Sequence, residues 1–302
     1  MAHALVIGGA SWNTMVYLAT LPQPVPQTLF SSGYHETVGM TGAGKALNLR
    51  RLGLDVTLHA MLGDDEYGRR VRDYLAQAGV ALLADSDPAG TPRHVNLMSA
   101  EGERISIFLN AGTFAPAFDS ARLRPLIQSA DYIVLNIMNY ARTLIPAIRE
   151  QGKAIWCDLH DYDGQNPYHD DFVQAADYLF LSSDALPDYR AFMERQIAAG
   201  KELVVCTHGR RGATALSRAH GWAEQPVAPG YTVVDTNGAG DAFMAGFLYG
   251  HARGWELRRC LRVAAVVAGL SVTSRELAHE GLSPELVARE EWRVYEGVGP
   301  AD

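Results

Sequence analysis

Cysteine is scarce in this chain. The three present, Cys157, Cys206 and Cys260, are far apart and form no C-x-x-C pair. Neither a disulfide framework nor a zinc site is indicated, and all three read as small buried residues. Positive charge is also in deficit: 26 Lys and Arg face 34 Asp and Glu, giving a formal net charge of −8. With no Lys/Arg run to offset this, a nucleic-acid surface is not expected. No apolar run approaches the length needed to span a bilayer, the longest candidate being 263–272. The opening MAHALVIGGAS carries no basic leader and reads as a first strand, so a cytoplasmic protein without a membrane partner is expected. With 48% hydrophobic residues in 302, the chain can bury a large core, as one big α/β domain or two smaller ones.

What is present is a bare stretch of backbone at a telling place. Residues 231–250 read YTVVDTNGAGDAFMAGFLYG. Tyr231 to Val234 predict a short buried strand, and Ala242 to Tyr249 a helix. Between them Gly238, Ala239 and Gly240 expose N–H groups where the helix begins, and these together with the helix dipole can face one anion. Asp241 follows at once. A carboxylate there can accept the proton of a hydroxyl attacking the anion, which is the chemistry of phosphoryl transfer. A tight turn with an ordinary helix-start carboxylate would use the same four residues, so the flanks decide. Asp235-Thr236-Asn237-Gly238-Ala239-Gly240-Asp241-Ala242-Phe243 resembles the D-T-x-G-A-G-D-x-F signature of the ribokinase family, the PfkB-type carbohydrate kinases. The resemblance extends over nearly the whole chain.

It implies a ribokinase-like α/β fold: a mainly parallel central sheet with helices on both faces, plus a small β-sheet lid over the substrate. Residues 1–12, 39–92 and 110–302 would form the catalytic domain, and 13–38 and 93–109 the lid. The residues agree independently. Strand and helix patterns alternate from Tyr132 onward, with helices predicted over Tyr140 to Gln151 and Leu186 to Ala199, as a parallel sheet covered on both sides requires. Asn13, Asn136, Asn139 and Asp158 fall at or past strand ends, where such sheets bind ligands. No G-x-G-x-x-G can be written through GGASWN, which argues against a dinucleotide enzyme.

GMTGAGK, residues 39–45, fits the P-loop pattern, but Ala46 lacks the hydroxyl that would ligate Mg²⁺ and the preceding segment is polar. It is similar instead to the family's first signature, a glycine-rich turn before a helix predicted from Ala46 to Leu52. That likeness puts Gly39, Thr41, Gly42 and Gly44 beside the substrate, and Lys45 is expected to be a solvated helix charge. Met40 and Gly44 depart from the family's Gly and Asn, and Asn13 stands where an Asp is common. Poor use of free ribose is therefore expected, with a bulkier substrate group filling the space above Gly44. Arg104 matches a frequent family arginine and is expected at the substrate.

Thr207-His208-Gly209-Arg210-Arg211-Gly212 is similar to the family's T-x-G-x-x-G nucleotide loop, although a plain hairpin would use the same residues. The resemblance assigns Thr207, Gly209, Gly212, Asp235, Thr236, Gly238 and Gly240 to the nucleotide. SSDA at 182–185 replaces the family's N-x-x-E, leaving Asp158 or Asp184 as candidates for organising Mg²⁺. SRELAHEG at 274–281 departs from the family's monovalent-cation segment. The reading is an ATP- and Mg²⁺-dependent phosphotransferase with an alcohol group as acceptor, acting on a small sugar or sugar-like molecule. Asp241 is its base and a homodimer through the lid is possible. The alternatives are a nucleoside kinase, for which Trp12, Met40 and Phe108 could supply stacking contacts, and a non-catalytic ligand-binding relative.

Overall fold

The computed structural model describes residues 1–100 and 102–297, and the alternation of patterns resolves there into two sheets. In chain order the strands are β1 (His3–Ile7), β2 (Ser11–Tyr17), β3 (Gly33–Gly39), β4 (Asp55–Leu62), β5 (Ala81–Ser86), β6 (Arg93–Met98), β7 (Arg104–Asn110), β8 (Tyr132–Asn136), β9 (Ile155–Asp158), β10 (Tyr178–Ser182), β11 (Leu203–Thr207), β12 (Ala213–Ser217) and β13 (Gly221–Gln225). Nine of them make the main sheet in the order β13-β12-β11-β10-β9-β8-β1-β4-β5, parallel except where β12 meets its two neighbours. The helices are α1 (Thr41–Arg51), α2 (Glu66–Gln77), α3 (Arg124–Ser129), α4 (Ile145–Glu150), α5 (Asp170–Ala175), α6 (Tyr189–Ala198), α7 (Ala239–Ala252), α8 (Leu257–Ser271) and α9 (Pro284–Tyr295).

Because strand side chains alternate, each central strand feeds two cores. Val6 and Leu58 enter one, shared with Leu47 of α1, Leu75 of α2, Phe247 of α7 and Val266 of α8. Leu5 and Ile7 enter the other, with Ile127 of α3, Ile148 of α4, Phe172 of α5 and Phe192 of α6. The carboxyl ends of β1, β8, β9, β10 and β11 are thereby left to loops carrying Gly8, Asn136, Asp158, Ser183 and His208, the edge where ligands bind in such sheets.

The remaining strands form a separate sheet, β3-β2-β6-β7, in which β2 and β6 are parallel and the other pairs antiparallel. β2 begins at Ser11, β3 ends at Gly39 and β7 reaches Asn110, so it is slightly longer than the lid segments predicted. β7 is a free edge, exposed along nearly its whole length.

Four local expectations are corrected. Tyr231 to Val234 is not a strand. The segment pairs with no strand; Val234 N–H donates instead to the Val272 carbonyl at 2.7 Å, and Val233 and Val234 stay exposed. The helix predicted from 140 to 151 starts as a 3-10 segment, Asn139–Leu144, because Pro146 cannot donate to the turn before it. Pro187 delays α6 to Tyr189 for a related reason, since the residue before a proline avoids helical backbone. Finally, α1 starts at Thr41, so Gly42, Ala43 and Gly44 belong to the helix and not to a turn before it.

Candidate active site

Gly238 caps α7 with φ at 80°, a left-handed conformation that a residue without Cβ adopts freely. The Ala239 and Ala242 N–H groups find the carbonyls of Thr236 and Gly238, while those of Gly238, Gly240 and Asp241 meet no acceptor among the described residues. A Cβ added at Gly240 would touch nothing within 4 Å. The start of α7 therefore presents several donors and a dipole end to open space, a ready anion site. Beside it, Asp235 Oδ1 accepts from the Asn237 N–H at 2.7 Å, while Oδ2 is buried and unpartnered, and burial pushes this carboxyl above its usual range. Thr236 Oγ1 donates to the Gly102 carbonyl at 2.9 Å and the Arg104 guanidinium donates to Asn237 Oδ1. The β6–β7 hairpin thus rests on the loop before α7. Arg104, expected at the substrate, pairs here with Asn237, one residue before the Gly238 cap.

Asp241 lies 6% exposed in the first turn of α7. Its Oδ1 accepts from Lys45 Nζ at 2.5 Å, and Oδ2 accepts no hydrogen bond among the described residues. Lys45, expected in solvent, is 1% exposed and also reaches Asp158 Oδ2 at 3.0 Å. α1 is buried almost all round, so the lysine stem has no route to water and its ammonium must be matched inside. His160, at φ 57°, gives its N–H to Asp158 Oδ1 at 3.0 Å and sets Nδ1 3.5 Å from Oδ2. These contacts separate the two carboxylates. Burial and the Asp158 charge push Asp241 up, with Lys45 and His160 pulling against them. For Asp158, burial is overcome by His160 and Lys45, which hold it well below the ordinary range. Lys45 is held well above its own, the two carboxylates outweighing burial. Two carboxyl groups driven apart in this way is the pattern of a base poised beside a permanently ionised partner.

The glycines of α1 serve this cluster. A Cβ on Gly44 would sit 2.6 Å from Asp241 Oδ2, and one on Gly42 would sit 2.5 Å from the Gly9 carbonyl oxygen. The space above Gly44 is filled by the Asp241 carboxylate, not left for a substrate group. The P-loop reading falls with it, since Lys45 points into carboxylates. Gly39 closes on Asn13, whose Oδ1 already accepts from Ser11 Oγ at 2.7 Å. Thr41 Oγ1 donates to Asn136 Oδ1 at 3.1 Å. Met40, at φ 70° and ψ 157°, occupies backbone space normally left to glycine.

Along the sheet, the loop at 207–213 does join antiparallel strands, and Gly212 is required there because a Cβ would come 2.1 Å from the Gln225 carbonyl oxygen. Thr207 and Gly209 stand at the mouth of this hairpin, and a Cβ on Gly209 would meet nothing within 4 Å. Its His208 links Ser183 Oγ and Thr214 Oγ1, each at 2.9 Å. Asp184 is exposed and Asp158 is engaged by Lys45, so neither belongs to a carboxylate cage, and no group of three or more His, Cys, Asp or Glu that could hold a metal occurs among the described residues. No helix among the described residues is long and apolar enough to cross a membrane. A resident Mg²⁺ does not fit these side chains; a magnesium ion arriving with ATP would rest chiefly on phosphate oxygens and water.

The sequence profile of the pfkB family carbohydrate kinases matches residues 27–283. The chain belongs to this family. It is a phosphotransferase that uses ATP to phosphorylate a sugar hydroxyl. It is 34% identical over 274 residues, 89% of this chain and 91% of the relative, to acarbose 7(IV)-phosphotransferase of Actinoplanes sp.. Among solved structures, the microbiome-derived acarbose kinase Mak1 superposes with a TM-score of 0.88 at 31% identity, covering 96% of this chain and 99% of that one. The Arabidopsis thaliana ribokinase complexed with ribose and ATP shares the fold, with a TM-score of 0.80 at 20% identity over 96% of this chain and 99% of that one.

In this pfkB kinase, the face of the small sheet that carries Asn13 is the face whose Arg104 meets Asn237 in the loop before α7. Register places His94 beside Asn13 and Phe108 beside His94, with Asn96 and Ser106 in the next row. His94 stacks on Phe108 with ring centroids 3.9 Å apart, and its Nε2 is buried and unpartnered. Burial and Arg104 lower its pKa to about 4, so the ring is neutral at physiological pH. Sequence reading missed His94, His160 and the burial of Lys45. The signal for Lys45 was its place as a lone charge in the otherwise uncharged stretch Gly42 to Leu49. Trp12 projects from the opposite face, under Arg70, and is removed from the stacking candidates.

Proposed function

We propose that this kinase transfers the γ-phosphate of ATP to a hydroxyl of acarbose or a similar sugar, with Asp241 as general base. The observation that carries the chemistry is the free Oδ2 of Asp241 beside the unpaired N–H groups of Gly238, Gly240 and Asp241. The acceptor hydroxyl gives its proton to Oδ2 as its oxygen forms a bond to the γ-phosphorus. The bond to the bridging oxygen breaks, and ADP leaves with that electron pair. The N–H groups at Gly238 to Gly240 meet the charge on the transferred group, where preorganised donors lower the barrier most. Thr207, Gly209, Gly212, Asp235 and Thr236 are assigned to the nucleotide side and Asn13, Gly39, Thr41, His94 and Phe108 to the acceptor side, while Gly42 and Gly44 give clearance to the Gly9 backbone and the Asp241 carboxylate. Mg²⁺ would enter with ATP and neutralise phosphate charge. The small sheet acts as a lid that keeps out water, a competing acceptor. Its free edge β7, with Ile105, Ile107 and Leu109 exposed, suits pairing with a second copy.

The acarbose-like substrate is supported by the relatives at 34% and 31% identity, both acarbose kinases by name. It is supported further by Asn13, which stands where a ribokinase commonly has an Asp and so offers sugar hydroxyls no charged acceptor. A nucleoside acceptor is the second reading, favoured by the half-exposed Phe108 ring on the Asn13 face. ATP consumption across acarbose, ribose, other sugars and nucleosides tests both. Acarbose should give the highest specificity constant, with ribose at least about tenfold lower. A highest value for ribose or a nucleoside overturns the assignment.

A further inference from the structure

The paired carboxylates and their shared ammonium have a use that base chemistry alone does not require. We propose that Lys45 is a positioning residue for the base: its ammonium, anchored by Asp158, holds Asp241 by Oδ1 and leaves Oδ2 turned to the acceptor hydroxyl. This rests on the reading of Asp241 as the base.

The geometry is specific. Asp241 projects from α7 and Lys45 from α1, and they meet at 2.5 Å. A lysine bound to one carboxylate alone could swing with it. Here the second contact, to Asp158 at the carboxyl end of β9, ties the ammonium to the main sheet at 3.0 Å. Asp158 is itself held by the His160 N–H in a tight turn. Gly44 completes the arrangement, because its missing Cβ is what lets Oδ2 stand over α1. A carboxylate gripped at one oxygen and without a hydrogen bond at the other has one basic position, and fixing the reacting atom is a large part of a catalytic barrier.

The arrangement also sets when the base is ionised. The titratable groups facing Asp241 are Lys45 from α1, Asp158 at the carboxyl end of β9 and His160 just beyond it. Two carboxylates share one ammonium, so Lys45 favours the ionised form of Asp241 and Asp158 opposes it. The two variants Lys45→Met and Asp158→Asn therefore push in opposite directions. Loss of Lys45 raises the pKa of Asp241, so the acid limb of kcat/KM moves to higher pH. Loss of the Asp158 charge leaves the ammonium to Asp241 alone, so the limb moves to lower pH. A residue that only supported the fold would move neither in a signed way.

The test is the pH profile of kcat/KM, with ATP and whichever of acarbose, ribose or the nucleosides turns over fastest, for the wild type and these two variants. Lys45→Met should move the acid limb up by about one pH unit or more and lower kcat at least about tenfold, and Asp158→Asn should move the limb down. If Lys45→Met does not fold, the direction of the Asp158→Asn shift decides alone. Acid limbs that coincide with the wild type, or that move the same way in both variants, overturn the proposal. Asp241→Asn measured alongside separates the two ideas. If that variant keeps turnover within a fewfold of wild type, the base reading itself fails; if it is inactive while the limbs stay put, only the role of Lys45 fails.

Discussion

The same five residues type for type, but for one charge, begin two helices that meet. α1 carries Gly42-Ala43-Gly44-Lys45-Ala46 and α7 is entered by Gly238-Ala239-Gly240-Asp241-Ala242. In α7 the first glycine is the left-handed cap and the second faces open space. In α1 the helix has already begun at Thr41, and both glycines face protein, the first against the Gly9 backbone and the second against Asp241 itself. One copy leaves its N–H groups open; the other provides clearance for the aspartate that follows the first. The charged residues that follow the two Gly-Ala-Gly runs, Lys45 and Asp241, then pair with each other at 2.5 Å. A glycine spacing at a helix start is thus no anion site until something is known of what lies opposite, and that is a fact of tertiary structure.

The largest effect should come from the α7 copy. Asp241→Asn keeps the shape but removes the basic oxygen, and turnover should fall at least about a hundredfold with melting temperature nearly unchanged. Steady-state kinetics that stay within a fewfold of wild type would sink the role given to it. In the α1 copy, Gly44→Ala drives a methyl group into the Asp241 carboxylate. Displacement of the base by a fraction of an ångström should cost about ten- to a hundredfold in kcat, together with about 1–3 kcal/mol of stability read by denaturant titration. Gly240→Ala sharpens the contrast, since its methyl group meets no protein atom within 4 Å. Stability should hold or rise slightly, while ATP binding weakens about tenfold as the new methyl group crowds the phosphate. If Gly240→Ala and Gly44→Ala lose stability equally, the distinction between the two helix starts is wrong. The smallest effect is expected at Met40→Gly, which relieves a residue held at φ 70°. Strain of about 1–3 kcal/mol is offset in part by the extra chain entropy of glycine, so the midpoint of chemical unfolding should rise only modestly.

Much of this was legible in the chain. The helix start with open N–H groups and an acidic first turn was readable because 235–243 is a contiguous run whose shape lies in its backbone. The parallel sheet followed from alternation, and the second sheet from the resemblance together with extended segments at the right distances. Illegible were the features that depend on partners far apart in sequence. Lys45 looked like an exposed helix charge because its two carboxylates lie 113 and 196 residues away, at Asp158 and Asp241. Gly44 looked like a missing substrate contact because nothing local says that Asp241 occupies the place of its side chain. Tyr231 to Val234 looked like a strand because β-branched residues report a preference for extended chain, not the presence of an edge to pair with. Arg104 fell on the hairpin as expected, but which end of the site it served depended on how that hairpin leaned.

That lean bears on cooperativity. Gly102 and Arg104 hold Thr236 and Asn237, the two residues that lead into the Gly238 cap. On the proposed reading of the small sheet as a lid and of this loop as the phosphate site, closing the one and ordering the other are one equilibrium and not two, so whatever stabilises the closed sheet, the acceptor above all, also raises the population of assembled loop. By the reciprocity of such coupling, the anion that orders the loop must in turn tighten the grip on the acceptor, and each substrate should bind better to the enzyme that already holds the other.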